Sequence, residues 1–171
     1  MLFRSQRCLE RHDPDNGGWP HTPPLNETGG KPVRGGKAFA SAILNYGLLR
    51  YLEIEPEERP EVRQMLVNTA NWLMNESWAP SGGFVYITNS PTHFDKGGRG
   101  VNSLMLSEIF AFALEATGDR KYGEFWQESM RGTLAGPVKL QGKTFSQQTR
   151  QTVFGLDRAW RMGIRTLSPA K

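Results

Sequence analysis

Two stretches decide the fold: GGKAFASAILNYGLLRYLE at residues 35–53 and GGRGVNSLMLSEIFAFALE at residues 97–115. At an offset of 62 residues, Gly35-Gly36 falls on Gly97-Gly98, Lys37 on Arg99, Leu44 on Leu106, Leu52 on Leu114 and Glu53 on Glu115. Each opens on glycines and runs on without proline through apolar or small residues, the pattern of a helix covered on most sides. Self-similarity at such a period marks supersecondary units that stack because none can bury its own apolar face.

The segment after each run completes the unit. Pro56 and Pro60 bracket a short acidic turn, and Pro60 suits the first turn of a helix. Val62, Met65, Leu66, Thr69, Ala70 and Leu73 then recur at helical spacing, with Glu61, Arg63, Gln64, Asn68 and Asn71 on the other side. That is a one-faced outer helix. In the second unit, Gly118 stands as a helix C-cap and Asp119 as the next N-cap. Tyr122, Phe125, Trp126, Ser129 and Met130 form the stripe of a second outer helix. A third inner helix is expected over 145–164, with the stripe Thr149, Thr152, Val153, Leu156, Trp160 and Ile164.

The fold class expected is therefore all-α: a single domain over residues 1–171 made of antiparallel helical hairpins. Full hairpins span 37–76 and 101–134, half-hairpins 2–11 and 145–164, and a short β-hairpin or strand lies in the loop near 84–88. Leu2, Phe3 and Leu9 read as the tail of an amphipathic helix that starts without a cap, which makes the array an incomplete arc. Glycine and proline concentrate in 13–36, 77–100 and 132–142, so the long loops gather on one side and the short turns on the other. Gly17-Gly18-Trp19 also repeats as Gly82-Gly83-Phe84.

Composition narrows the chemistry. The 171 residues, 37% hydrophobic and 22% charged, suit one globular domain. A net charge of +4 is spread among acidic residues rather than run together, so no nucleic-acid footprint is visible. Cys8 is the single cysteine, and His12, His21 and His93 lack the helical spacing of a zinc site, so neither a metal nor a cofactor is expected. Gly36-Lys37 is followed by Ala38 where a phosphate loop needs a hydroxyl. No apolar run reaches membrane-span length and no signal peptide is present, although an upstream truncation would remove one; localisation stays open.

Alternating inner and outer helices, with long loops at one end and short turns at the other, resemble the α/α toroids of the six-hairpin glycosidase superfamily and the related polysaccharide lyases. Gly17-Gly18-Trp19-Pro20, Gly83-Phe84-Val85-Tyr86 and Ala116-Thr117-Gly118-Asp119-Arg120-Lys121-Tyr122 are similar to recurrent phrases of those proteins. The resemblance implies a ring with about twice the helices seen here and a site at the long-loop mouth. It supplies no catalytic motif. Terpenoid cyclases share toroid architecture, but their acidic signature is absent from this sequence.

At that mouth, the inner-helix N-termini near Lys37, Arg99 and Gln147, with Lys31, Arg34 and Lys96, favour an anionic ligand such as a uronate glycan. A lyase needs a base beside a neutralised carboxylate, which selects Tyr86, His93, Asp95 and Arg99 as catalytic candidates. Trp19, His21, Arg34, Lys37, Asn89 and Asn102 are candidates for binding substrate. Glycoside hydrolysis would instead draw on two carboxylates among Asp13, Asp15, Glu27 and Asp95. Each has an ordinary alternative: Asp13 and Asp15 flank a turn proline, and Trp19 and Phe84 anchor equivalent loop turns. Two classes stand: a hydrolase or lyase acting on an oligo- or polysaccharide, or a non-catalytic helical-repeat module binding a glycan or protein, with self-association as a further partner mode.

Overall fold

The computed structural model describes residues 10–55, 59–89, 101–134 and 142–164, without the side chains of 101–102, 132–134 and 142–150. Five α-helices stand among them: α1 (Ala38–Ile54), α2 (Pro60–Asn75), α3 (Val101–Thr117), α4 (Lys121–Leu134) and α5 (Gly142–Arg161). A two-residue pair of strands, β1 (Trp78–Ala79) and β2 (Gly83–Phe84), joins antiparallel with Trp78 opposite Phe84. The strand expected near 84–88 is instead the second strand of a tighter hairpin that ends at Phe84, with the Val85 N–H donating to the Ser77 carbonyl in the same register.

Local signals set the boundaries as expected. Pro60 occupies the first turn of α2. Gly118 adopts φ +71° after α3, and Asp119 accepts from the Lys121 N–H at 3.1 Å to start α4. The stripe of α2 is buried throughout, as are Tyr122, Phe125, Trp126, Ser129 and Met130 of α4.

The inner helices run parallel. Thr152 of α5 reaches the Leu104 carbonyl of α3, Gly155 abuts Ser107, and the Arg158 guanidinium lies over Phe112, so contacts climb both helices together. Between α1 and α5, Tyr46 meets Phe154 and Glu53 meets Arg158 in the same sense. The outer helix α2 packs on both α1 and α3, so α3 is the central helix of the array, touched by all four others. That explains its character: residues 103–113 are all buried, with Phe110, Ala111 and Ala113 at 0% exposure.

One expectation is overturned. Of the stripe assigned to the last helix, Thr152 reaches the neighbouring inner helix and Ile164 packs on the core, but the three residues between face outward: Val153 is 59%, Leu156 43% and Trp160 58% exposed. The side that packs on α3 is made by Gln151, Gly155, Arg158 and Ala159. A β-carbon on Gly155 would collide with Ser107 and the Glu108 amide nitrogen, so close approach of the two backbones, rather than apolar bulk, selects the buried side. The helix also begins at Gly142 rather than 145, which moves its N-terminus away from Gln147.

Candidate functional site

Three segments are stitched together at the N-terminal end of α1. His21 and Gly35 exchange backbone hydrogen bonds of 3.0 Å each. Thr88 donates its N–H to the Gly36 carbonyl at 3.0 Å and accepts the Gly36 N–H on its hydroxyl at 2.9 Å. The Asn89 amide reaches the Arg34 carbonyl at 3.4 Å, and Asn89 itself holds φ +61°, a left-handed conformation that asparagine tolerates better than most residues. These contacts join the two long loops that the repeat predicted would share one face.

Between them opens a cleft of about 220 Å³. Its polar groups are Asp13, Asn16, Arg34, Glu76 and Asn89, and its wall is the Trp72 indole, 4% exposed. Gly18 and Gly36 both lie against that indole so closely that a β-carbon at either would strike the ring. The glycines therefore admit the tryptophan as a flat floor beneath the loops. A second hollow of about 270 Å³ shares Asn16, Trp72 and Glu76 with the first and continues along α2 past Asn68, Asn71 and Asn75. Together they make a groove rich in amides and carboxylates.

Turn geometry fixes Asp13. Its Oδ1 accepts the N–H groups of Asp15 at 3.1 Å and Asn16 at 3.3 Å, and Asn16 Oδ1 accepts from Gly18 at 2.9 Å. His12 anchors the same turn from below, its Nε2 at 2.9 Å from the Gly17 carbonyl and its ring edge-on to Trp19. Burial depresses the His12 pKa below its usual value, with the Gly17 carbonyl and Asp13 opposing.

The candidates from sequence separate as follows. Arg34 and Asn89 line the cleft, and His21 borders an adjoining hollow. Tyr86 is 36% exposed on the same face, stacked 5.6 Å from Phe39 with the Lys37 ammonium 5.2 Å from its ring centroid. Lys37 is less available than its position implied, since it is ion-paired with Glu27; that pair also removes Glu27 as an independent carboxylate. Trp19, 7% exposed, belongs to the core cluster. His93, Asp95 and Arg99 lie outside the described residues, as does the Asn102 side chain, although Asn102 itself falls in the first turn of α3.

A second cluster went unnoticed in the sequence. Where α1, α3 and α5 converge, Glu108 is ion-paired with Arg50 and lies 3.7 Å from Arg158. Arg158 also pairs with Glu115 and, at 3.4 Å, with Glu53. Aromatic faces back the cations: Arg50 sits 4.1 Å from the Phe154 centroid. Glu108 is 3% exposed, and burial raises its carboxyl pKa against the opposing pull of Arg50 and Arg158. The cluster ties the three parallel inner helices to one another through charge.

Among the described residues, no group of three potential ligands could hold a metal, and no helix is long and apolar enough to cross a membrane. No protein-family model matches the chain, and neither a curated protein nor a solved structure matches it.

Proposed function

We propose that the chain is a carbohydrate-active domain, its parallel inner helices forming an arc of an α/α toroid and its loop-face groove receiving an oligo- or polysaccharide. The observation that carries this reading is the cleft that gathers Asp13, Glu76, Arg34, Asn16 and Asn89 above the Trp72 indole. Sugars are held largely by carboxylate and amide hydrogen bonds, and this inventory supplies them. Asp13 and Glu76 are the two carboxylates that glycoside hydrolysis requires, one to protonate the leaving oxygen and one to attack or to activate water. Arg34 adds a site for the carboxylate of an acidic sugar. Hydrolysis is favoured over elimination because both carboxylates border one cleft.

The test is incubation with a panel of uronate-containing and neutral polysaccharides. New reducing ends are expected from the native chain and are lost in Asp13→Asn and Glu76→Gln at unchanged thermal stability. Unsaturated sugar ends would assign a lyase instead and turn attention to Tyr86, His93, Asp95 and Arg99.

A second reading, a non-catalytic glycan-binding module, draws on one observation: the exposed Tyr86 ring, fixed against Phe39 and Lys37, is a ready platform for a sugar ring. Glycan binding without turnover, weakened by Tyr86→Ala, would establish it and exclude the enzymatic reading.

A further inference from the structure

The hollow of about 270 Å³ along α2 differs in chemistry from the cleft it adjoins. Asn16, Trp72 and Glu76 line both, but Arg34 belongs to the cleft alone, and Asn68 and Asn71 to the hollow alone. Three amides in the hollow have their carbonyl ends occupied by the protein itself. Asn16 Oδ1 accepts the Gly18 N–H at 2.9 Å, Asn68 Oδ1 accepts from the Gln64 amide at 2.8 Å, and Asn71 Oδ1 accepts from the Tyr122 hydroxyl at 2.9 Å. What each has left for a ligand is its NH2 group, which can only donate.

Two exposed carboxylates, Asp15 and Glu76, stand in the same lining, so the hollow disfavours the anionic sugar that Arg34 draws into the cleft. Pro14 and Trp72 are its apolar members. The group that answers this inventory is neutral and carries an acceptor oxygen, an N–H and a small apolar end. A plain hydroxyl answers it less well, because it brings a hydrogen of its own toward fixed donors and leaves the apolar lining without a contact.

We propose that the hollow along α2 is a subsite for an N-acetylated amino sugar, joined to the sugar that occupies the cleft. The acetamido carbonyl accepts from the asparagine NH2 groups, its N–H donates to the Asp15 carboxylate, and its methyl lies toward Pro14 and Trp72. Glu76, common to hollow and cleft, stands where the two sugars meet, so the hollow selects the neighbour accepted beside that bond. The inference rests on the carbohydrate reading above and adds to it the substituent that the neighbouring subsite recognises.

Calorimetric titration of the full chain with a glucose oligomer and an N-acetylglucosamine oligomer of the same linkage and length isolates the acetamido group. The acetylated oligomer is expected to bind about fivefold tighter or more. Asn68→Asp and Asn71→Asp keep an acceptor for Gln64 and Tyr122 but have no hydrogen to donate, so each should remove most of that preference. Arg34→Gln, confined to the cleft, should leave the preference unchanged. Equal binding of the two oligomers by the native chain, a preference that survives both asparagine variants, or one that Arg34→Gln removes would overturn the subsite and leave the carbohydrate reading standing. Binding of neither oligomer, nor of a uronate oligomer titrated alongside, would overturn the carbohydrate reading and the subsite with it.

Discussion

Glu53 and Glu115, which occupy equivalent positions in the two repeats, both end on the same guanidinium: Arg158 of α5 pairs with Glu115 and reaches Glu53 at 3.4 Å. The repeat thus has an electrostatic counterpart, in which one residue of the third inner helix ties the C-terminal halves of the first two. Arg158→Met is expected to cost about 1.5–3 kcal/mol, because it removes one of the two cations facing the buried Glu108 and breaks both glutamate pairs, while Arg50 still compensates Glu108. Glu53→Gln and Glu115→Gln should each cost only about 0.5–1 kcal/mol, since their side chains are 48% and 43% exposed and water screens the pair. Urea unfolding of the three variants checks the order, and a glutamate variant as damaging as Arg158→Met would refute it.

Glu108 makes the same cluster pH-dependent. Its carboxyl is buried at the junction of three helices, and desolvation raises its pKa above the ordinary 4.5 although Arg50 and Arg158 pull it down. A raised carboxyl pKa means the folded state holds the proton more tightly than the unfolded chain does. Its contribution to stability is therefore full below pH 4.5, declines as pH rises through the raised value, and is flat above it. Melting curves of the native chain and Glu108→Gln should converge or cross as pH climbs through that window, with the variant gaining relative to the native protein. Parallel curves would show that Glu108 titrates alike in both states.

Legibility followed the kind of residue that makes each contact. The stripe of α2 could be read because its buried side is apolar and its exposed side polar. In α5 the relation is reversed: Gly155 and Ala159 admit α3 by being small, Gln151 and Arg158 are buried, and Val153, Leu156 and Trp160 face outward. Periodicity alone put Val153, Leu156 and Trp160 on the wrong side, though Thr152 and Ile164 do face inward. The Arg158 cluster was hidden for another reason, since its members lie on three helices and only the parallel packing brings them together. At the cleft, Arg34 and Asn89 stood out as polar loop residues. Asn68 and Asn71 read as an ordinary solvated helix side and Asn75 and Glu76 carried no signal, because only the loop around Asp13, folded against Trp72, brings them to the cleft and its neighbouring hollow.

Two helical glycines should respond in opposite directions to alanine. At exposed Gly47 a β-carbon meets nothing within 4 Å, so Gly47→Ala removes backbone freedom from the unfolded chain at no steric cost and should stabilise by about 0.5–1 kcal/mol. At Gly155 the added methyl strikes the Ser107 hydroxyl, which can rotate away, and the Glu108 backbone nitrogen, which cannot. Gly155→Ala is expected to destabilise by about 1–3 kcal/mol as α3 and α5 are forced apart. Equal effects in thermal melts would argue against the tight α3–α5 contact.

His12 sets an acid limit of the opposite sign from Glu108. Burial depresses its pKa below 6.5, so the folded chain prefers the neutral ring; its contribution is present above pH 6.5 and lost as pH falls through the depressed value. The loss is local before it is global. His12 holds the Gly17 carbonyl at 2.9 Å and packs edge-on to Trp19, and that turn positions Asp13 and Asn16 at the cleft. Acidification should therefore loosen residues 12–18 ahead of the helical core, seen as faster amide exchange at Gly17 and Gly18 while exchange in α3 is unchanged. His12→Gln keeps a donor toward the Gly17 carbonyl and has no proton to gain, so it should abolish the acid-dependent part of that exchange. If the native chain and His12→Gln loosen together on acidification, another group near the turn is responsible, and the depressed His12 does not govern the cleft.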